Sequence, residues 1–146
     1  MRLTSMFRYG MRALAVLVEN YGQGKVSAKE ISESEGISLS FLEQLLAKLR
    51  KKGIVKGTRG PGGGFVLGRA PDKIKISEVV EALEGPVFIS KCLGGVGDYE
   101  EDPCEKVDDC PVMPLLKKLE KDFRKVLSSY DLTIIVPRKK KGAKRR

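Results

Sequence analysis

The fold of this chain is decided by residues 26–53, which read VSAKEISESEGISLSFLEQLLAKLRKKG. Ser27 and Glu30 have the Ser-x-x-Glu spacing of a capping box, in which each side chain bonds the other residue's backbone N–H at a helix start. A short helix is therefore predicted from Ser27. Gly36 ends it, because glycine interrupts the apolar period and suits a left-handed helix cap.

A second helix is predicted to follow from Ser38 to Lys52. Ser40 and Glu43 repeat the capping-box spacing near its start, and Gly53 stands where a left-handed cap would end it. Its apolar side chains recur at i, i+3, i+4 and i+7, so one face is buried: Leu42, Leu45, Leu46 and Leu49. Two helices joined by a tight glycine-containing turn form a helix-turn-helix.

Two short runs with β-strand character come next, Ile54–Lys56 and Phe65–Leu67. The segment between them, residues 58–64 (TRGPGGG), consists of turn-forming residues throughout. A β-hairpin directly after a helix-turn-helix is typical of a winged helix.

Further helices are predicted on both sides of this unit, over about residues 5–21, 77–84 and 112–130. The last has apolar residues near heptad spacing: Leu116, Leu119, Phe123, Val126 and Tyr130. Such a stripe after an exposed loop favours packing against a symmetry mate over covering the chain's own core. The predicted fold class is mainly α with a small β-hairpin wing, that is, a winged helix-turn-helix plus a long C-terminal dimerisation helix.

The chain divides into four parts on this interpretation: a DNA-binding domain of residues 1–86, a cysteine-containing loop of residues 87–111, a dimerisation helix and C-terminal segment of residues 112–137, and a disordered basic tail of residues 138–146. The loop shows no period, and long loops in compact domains are usually functional or disordered. The tail is either a nonspecific phosphate anchor or a solubilising end.

The net charge of +9 is unevenly distributed along the 146 residues. Residues 1–97 and 138–146 are basic, whereas residues 98–110 carry seven acidic side chains and one lysine. A basic domain favours a polyanionic partner such as DNA. No apolar run approaches the roughly 18–20 residues that span a bilayer. Arg8 and Arg12 interrupt the stretch where a signal peptide needs an apolar core, so a cytoplasmic location is expected.

The second helix of the helix-turn-helix is the one that enters the major groove of DNA. Its first residues off the leucine face are candidates for contact with bases: Ser38, Ser40, Glu43 and Gln44. Gln pairs bidentately with adenine, and Glu accepts from cytosine. Phosphate contacts are expected from the basic residues near its end: Lys48, Arg50, Lys51 and Lys52. The alternative is a solvated helix face.

The hairpin tip, Arg59-Gly60-Pro61-Gly62, is predicted to contact DNA as a wing. Glycines let the backbone approach a groove closely, and Arg suits the negative potential of a narrow minor groove. The alternatives are a flexible turn and a phosphate-binding loop. The second is excluded because no Gly-Lys-Ser/Thr and no helix N-terminus follow the glycines.

Three cysteines and no histidine determine which chemistry is available. An odd cysteine count in a cytosolic chain argues against a disulfide framework, so the thiols are metal ligands or reactive groups. The absence of histidine removes Ser-His and Cys-His nucleophile pairs, and enzymatic activity is not expected. Three interpretations remain: an iron–sulfur cluster, a Cys104–Cys110 thiol switch and a three-cysteine zinc site. The acidic loop should raise thiol pKa values, which disfavours a fast switch.

Five stretches together resemble the IscR-type iron–sulfur cluster regulators, a winged-helix group, over nearly all of residues 1–130: Arg8–Leu14 (RYGMRAL), Ile37–Leu45 (ISLSFLEQL), Leu49–Gly53 (LRKKG), Arg59–Phe65 (RGPGGGF) and Ile76–Pro86. The resemblance implies a homodimer built by swapping the last long helix. It implies DNA contact through the residues named above, including wing Arg59, and a cluster loop between the fourth helix and the dimer helix. It also implies a [2Fe–2S] cluster in preference to [4Fe–4S], held by Cys92, Cys104 and Cys110.

The cysteine pattern departs from that of the family, which is Cys-x5-Cys-x5-Cys followed by His three residues on. Here the spacing is Cys92-x11-Cys104-x5-Cys110. Without a gap, Asp98 takes the middle position and Val107 replaces the histidine. With a six-residue insertion after Cys92, all three cysteines match and Met113 occupies the histidine position, which we prefer because three thiolates are kept.

The fourth ligand stays open between Met113, a weak thioether donor, and the loop carboxylates. Some relatives supply a carboxylate from the first helix, but the matching residue here is Arg8.

These features predict a homodimeric, DNA-binding transcriptional regulator, with repression favoured, that senses cluster or redox status through its cysteines. An alternative is a cluster-free winged-helix regulator controlled by thiol oxidation or a protein partner. A different class, a small iron–sulfur electron carrier, gives the wing and the second helix no role.

Overall fold

The computed structural model describes residues 3–94 and 104–135. In chain order its helices and strands are α1 (Ser5–Glu19), α2 (Ala28–Glu35), α3 (Leu39–Lys51), β1 (Val55–Thr58), β2 (Gly64–Leu67), α4 (Ile76–Glu84) and α5 (Met113–Ser129). The predicted class, mainly helical with one small hairpin, is confirmed. The predicted tail, residues 138–146, lies outside the described residues.

The helix-turn-helix forms where the local signals place it. The Ser27 hydroxyl accepts from Glu30 N at 3.1 Å, and Glu30 Oε2 accepts from Ser27 N at 2.9 Å, so the capping box is present. Gly36 ends α2 with φ 64°, a left-handed backbone that glycine adopts without steric cost. Gly53 after α3 likewise has φ 72°.

The capping box predicted for Ser40 and Glu43 is wrong. The N-cap of α3 is Ser38, whose hydroxyl accepts from Phe41 N at 3.3 Å. Ser40 is already inside the first turn, because the chain leaves the extended conformation at Ser38 and not two residues later.

The leucine face of α3 forms the centre of the core. Leu42, Leu45, Leu46 and Leu49 are each at most 1% exposed, and they pack against α1 and α4. Burying one such side chain contributes about 1.5–3 kcal/mol relative to leaving it in water. The polar face of α3 is consequently turned to solvent, as the period predicts.

The hairpin is anchored to the helices at its base. Antiparallel pairing runs from Val55 opposite Leu67 to Thr58 opposite Gly64. Val26, just before α2, forms an isolated antiparallel β-bridge with Phe65. Ile54, predicted as the first strand residue, is instead a buried junction whose N–H bonds to Leu49 O at 3.0 Å.

The segment after α5 returns to the core. Leu132 is fully buried, its N–H bonds to Ile74 O at 3.1 Å, and Tyr130 O accepts from Ile76 N at 2.9 Å. We name residues 130–132 with their partners Ile74 and Ile76 the C-terminal latch. Through it, the end of α5 is fixed beside the start of α4.

Candidate nucleic-acid interface and cysteine site

The candidate base-reading residues share one exposed surface at the start of α3. Ser38, Ser40, Glu43 and Gln44 are all exposed, because the opposite face carries the buried leucines. The Ser38 hydroxyl accepts the capping bond and still has its proton to donate. This end of α3 thus presents hydroxyl, carboxylate and amide groups in one turn and a half of helix.

A hydrogen-bonded network behind this surface positions α3, and sequence reasoning missed it. Arg12 on α1 pairs with Glu35 at the end of α2, with 3.1 Å between Nε and Oε2, and donates to Glu35 O at 2.6 Å. The Glu35 side chain is only 1% exposed. Tyr9 stacks edge-to-face on Phe41 of α3, with ring centroids 5.8 Å apart. These contacts join α1 to both helices of the motif.

The basic residues of α3 lie at its other end. Lys48, ten residues after Ser38, is about 15 Å further along the helix axis at 1.5 Å per residue. Lys48, Lys51 and Lys52 line an open cleft of about 650 Å³. Glu81 and Glu84 line the same cleft, so the lysines face carboxylates as well as solvent. Their contact with phosphates remains a prediction.

The hairpin tip is fully exposed and tightly turned. Gly60 and Gly62 have φ of 90° and 75°, which only glycine adopts readily. Gly63 N bonds to Gly60 O at 2.9 Å and closes the turn around Pro61. Arg59 and the three residues after it project from the body of the protein without shielding.

The three cysteines differ in environment. Cys92 is half-buried in a 3-10 turn, Lys91–Leu93, with its sulfur 3.1 Å from the Ser90 hydroxyl. Cys104 is exposed. Cys110 is half-buried immediately before α5, and its carbonyl accepts from Met113 N at 3.2 Å.

No three Cys, Asp or Glu side chains of residues 3–94 and 104–135 come together in a group that would hold a metal ion. Cys92, Cys104 and Cys110 nevertheless have the side chain that a cluster needs, since cysteine thiolates are the usual ligands of iron–sulfur centres. Asp98, one of the alternative ligands, lies outside the described residues. Arg8, at the position where some relatives carry a carboxylate, is on the first turn of α1 and bonds to Ser5 Oγ at 3.2 Å.

Helix α5 has two apolar stripes where the sequence predicted one. Leu116, Phe123 and Leu127 are half-buried, and the last two pack against the chain's own core. The second stripe is 47–56% exposed, and we name it the outer stripe: Val112, Leu115, Leu119, Val126 and Tyr130. The predicted heptad set therefore lies along one side of the helix, with Leu116 and Phe123 at its half-buried edge and Leu119, Val126 and Tyr130 at its exposed edge.

Two carboxylates in and near the C-terminal latch, Asp131 and Glu78, have lowered pKa values. Partial burial raises the pKa of Glu78, but hydrogen bonds from Arg69 and from Lys75 N outweigh burial and lower it. The pKa of Asp131 is lowered by hydrogen bonds from the Thr133 hydroxyl and N–H. Both groups are thus ionised at neutral pH; Glu78 bonds the backbone where α4 begins, and Asp131 bonds the backbone of the turn after α5.

Among the described helices, none combines the length and the apolar character needed to cross a membrane.

Comparison with known proteins gives consistent matches over most of the chain. Residues 3–138 match the Rrf2 family, described as iron-dependent transcriptional regulators. The chain is 39% identical over 136 residues to the HTH-type transcriptional regulator IscR of Xenorhabdus nematophila, covering 93% of this chain and 79% of that protein.

Two solved structures are similar at the level of the fold. CymR (YrzC), the global cysteine regulator of B. subtilis, has a TM-score of 0.70 at 31% identity, covering 91% of this chain and 94% of that chain. T. potens IscR has a TM-score of 0.67 at 32% identity, covering 91% and 84%. The predicted winged-helix class and the predicted resemblance are confirmed, and these named relatives are regulators and not enzymes.

Proposed function

Because this chain belongs to the Rrf2 family of transcriptional regulators, we propose that it binds promoter DNA in the cytoplasm as a homodimer whose affinity is set by its three cysteines. The observation that carries the proposal is the exposed polar start of α3 together with an exposed arginine at the hairpin tip. A recognition helix and a wing require this combination.

In the proposed complex, α3 enters the major groove. Glu43 and Gln44 read base edges, while the Ser38 and Ser40 hydroxyls bond phosphate or base. Lys48 and Lys51 contact phosphates further along the backbone. The wing residues Arg59, Gly60, Pro61 and Gly62 approach the minor groove, where the small turn allows the guanidinium to enter.

The outer stripe of α5 is the proposed homodimer contact. An exposed apolar stripe of five residues on one helix costs solvation free energy until it is covered. A two-fold axis lets the same stripe cover itself on a second copy. The domain division at residues 86 and 112 follows from this assignment, with α5 serving both the core and the dimer.

The cysteine loop is the proposed sensor. Cys92, Cys104 and Cys110 would hold an iron–sulfur cluster, [2Fe–2S] in preference to [4Fe–4S], which supplies sensitivity to iron and oxidants when bound. The chain's own contribution is to place Cys92 on the turn after α4 and Cys110 against the start of α5. A bound cluster would join these two segments and the one that carries Cys104.

The DNA proposal is tested by fluorescence anisotropy on a duplex selected from random DNA by the protein itself. We expect Gln44→Ala to relax base preference at one position, and Arg59→Ala to weaken binding and lower the salt slope by about one. Lys29→Ala, an exposed change on α2, is the control. Equal behaviour of all three variants would remove the proposed interface.

The sensor proposal is tested by anaerobic purification with measurement of iron, acid-labile sulfide and visible absorption per chain. Matched iron and sulfide, lost in Cys92→Ala, supports a cluster, and the spectrum separates the two cluster types. Protein that stays colourless after reconstitution overturns it. The exposure of Cys104 then favours the second candidate, a regulator controlled by thiol oxidation.

A further inference from the structure

Two side chains of α5 hold the first residues of the cysteine loop. Arg124 Nη2 donates to Val87 O at 2.7 Å, and Glu120 Oε2 accepts from Ile89 N at 3.4 Å. Glu120 and Arg124 also pair with each other, with 3.1 Å between Oε1 and Nη2. One carbonyl and one N–H of a three-residue segment are therefore bonded to a single ion pair on the helix.

This clamp, defined as Glu120, Arg124 and residues 87–89, is shielded on its inner side. The Glu120 side chain is 14% exposed and Val87 is 9% exposed, while Phe123 packs against the core beside them. Charge-assisted hydrogen bonds are stronger than neutral ones, and partial burial limits screening by salt. Arg124 is itself 48% exposed, so the shielded part of the clamp is Glu120 and the backbone of Val87.

The clamped segment leads directly to Cys92. Ser90, the residue after the clamp, has its hydroxyl 3.1 Å from Cys92 Sγ, and its carbonyl accepts from Leu93 N at 3.1 Å. Cys92 consequently sits on a single turn that begins where the Glu120 bond ends. A rearrangement of that turn acts on backbone already fixed to α5.

The other side of the clamp faces the end of α3. A cleft of about 240 Å³ is lined by Lys52, Glu81, Pro86, Val87 and Arg124. Lys52 is the C-cap of α3. The first residue of the cysteine loop, Val87, the α5 residue Arg124 and the end of α3 therefore line one cleft.

We propose that Glu120 and Arg124 are positioning residues that couple the state of Cys92 to DNA affinity by fixing residues 87–89 onto α5. The inference rests on the proposed sensor function of the cysteine loop. Coupling between two sites requires an element whose arrangement both sites bias. Here α5 is that element. The clamp joins the middle of α5 to residues 87–89, which lead to Cys92, and the latch joins the end of α5 to the core.

The test uses the full-length chain with Cys104 and Cys110 changed to serine, so that iodoacetamide modifies Cys92 alone. The Kd for one selected DNA duplex is measured at fixed salt before and after modification. The same pair of measurements is made with Arg124→Met and with Lys121→Met. Lys121 is an exposed residue of α5 one turn before Arg124, so its variant removes the same charge from the same helix.

We expect modification to change the Kd about tenfold, within the usual range of coupling between sites, in the parent and in the Lys121→Met variant, and less than twofold in Arg124→Met. Equal changes in both variants overturn the coupling role and leave the sensor function standing. No change in any protein overturns the coupling of Cys92 to DNA affinity, whereas the cluster proposal, which needs all three cysteines, is decided by the iron and sulfide measurement on the unmodified chain.

Glu120→Gln gives a second measurement that keeps the shape of the clamp. It retains an acceptor for Ile89 N but removes the charge that holds Arg124, so a change in Kd well below the parent's is expected. Hydrogen exchange at the Ile89 amide, read by NMR, should be several-fold faster in both clamp variants. Exchange equal to the parent's in a folded variant contradicts the clamp itself.

Discussion

Gly10 occupies the point where α1 meets α4, and its replacement tests how tightly they pack. A Cβ built on Gly10 would overlap Leu83 Cδ1, so the Leu83 side chain, which is only 2% exposed, would have to shift within the packed core. Gly→Ala in a helix interior normally stabilises by about 1 kcal/mol. Here overpacking, about 1–3 kcal/mol, should outweigh that gain, and Gly10→Ala should lower the free energy of unfolding in urea.

The control for Gly10→Ala is the double variant with Leu83→Val, which removes the overlapped carbon. It should recover part of the lost free energy, since the two changes share one contact. Additive losses in the double variant would mean that the overlap is not the cause.

Ser38 has two roles that substitutions can separate. Ser38→Ala removes the cap of α3 and should cost about 1 kcal/mol, read as a lower Tm. Ser38→Asp keeps a good cap and should retain stability, yet it places a negative charge at the proposed DNA surface, so binding should fall. If Ser38→Asp binds DNA as well as the parent protein, Ser38 does not face phosphate or base.

For single residues, the sequence predicted the features that depend only on neighbouring positions. The Ser27–Glu30 box, Gly36 and Gly53 follow from neighbouring residues, and all are confirmed. The Ser40–Glu43 box had the right spacing but a competing cap at Ser38. The Arg12–Glu35 pair was out of reach because its members are 23 positions apart and on different helices.

Helix α4 begins on a carboxylate, and its stability should depend on pH. Glu78 accepts from Lys75 N at 2.9 Å and pairs with Arg69 at 2.9 Å. Its pKa is lowered below the ordinary 4.5, so its contribution is present above that value and is lost as the pH falls through the folded-state pKa. Glu78→Gln should cost about 0.5–1 kcal/mol at pH 7 and progressively less in acid.

The measurement is urea unfolding of the parent and Glu78→Gln from neutral pH into the acid range. Glu81→Gln, a change on the exposed side of the same helix, is the control and should show no such trend. A constant difference between parent and Glu78→Gln at all pH values would contradict the ionic explanation.

Apolar periodicity predicted the helices well but did not predict how α5 packs. The predicted helix bounds agree with those of the structure within one or two residues. The heptad spacing, however, assigned Leu116 and Phe123 to the same contact as Leu119 and Val126. The four residues lie on one face of the helix, but Leu116 and Phe123 are half-buried while Leu119 and Val126 are exposed, and a pattern of apolar residues alone does not say whether one partner or two cover them. The i, i+4 spacing of Glu120 and Arg124 was visible as a helix pair, but not its bonds to residues 87–89.

Substitutions at the exposed and half-buried edges of α5 should affect different properties of the whole molecule, namely dimer formation and stability. Leu119→Glu on the outer stripe should yield a monomer with a folded core, because it places a charge in the proposed dimer contact at an exposed position. Phe123→Ala at the half-buried edge should lower the free energy of unfolding by about 1–3 kcal/mol, below the loss of a fully buried Phe. Sedimentation measures the oligomeric state, and thermal unfolding measures stability. If the Leu119→Glu variant is still a dimer, the dimer contact lies on another surface.

The sequence indicated the winged-helix unit as a whole because its signals are contiguous between residues 26 and 67. It did not indicate the return of Leu132 to the core. One apolar residue in a short segment has no period, and its partner Ile74 lies far back in the chain.

The C-terminal latch also determines the order in which the protein is completed during synthesis. Recognition helix and wing leave the ribosome long before Leu132, which fills a fully buried place beside Ile74. Until that residue emerges, the nascent chain carries a gap in its core and an unpaired carbonyl at Ile74. A ribosome-bound chain that already displays the proposed DNA-contact residues is therefore still incomplete, and the segment after α5 completes the core of the winged-helix domain.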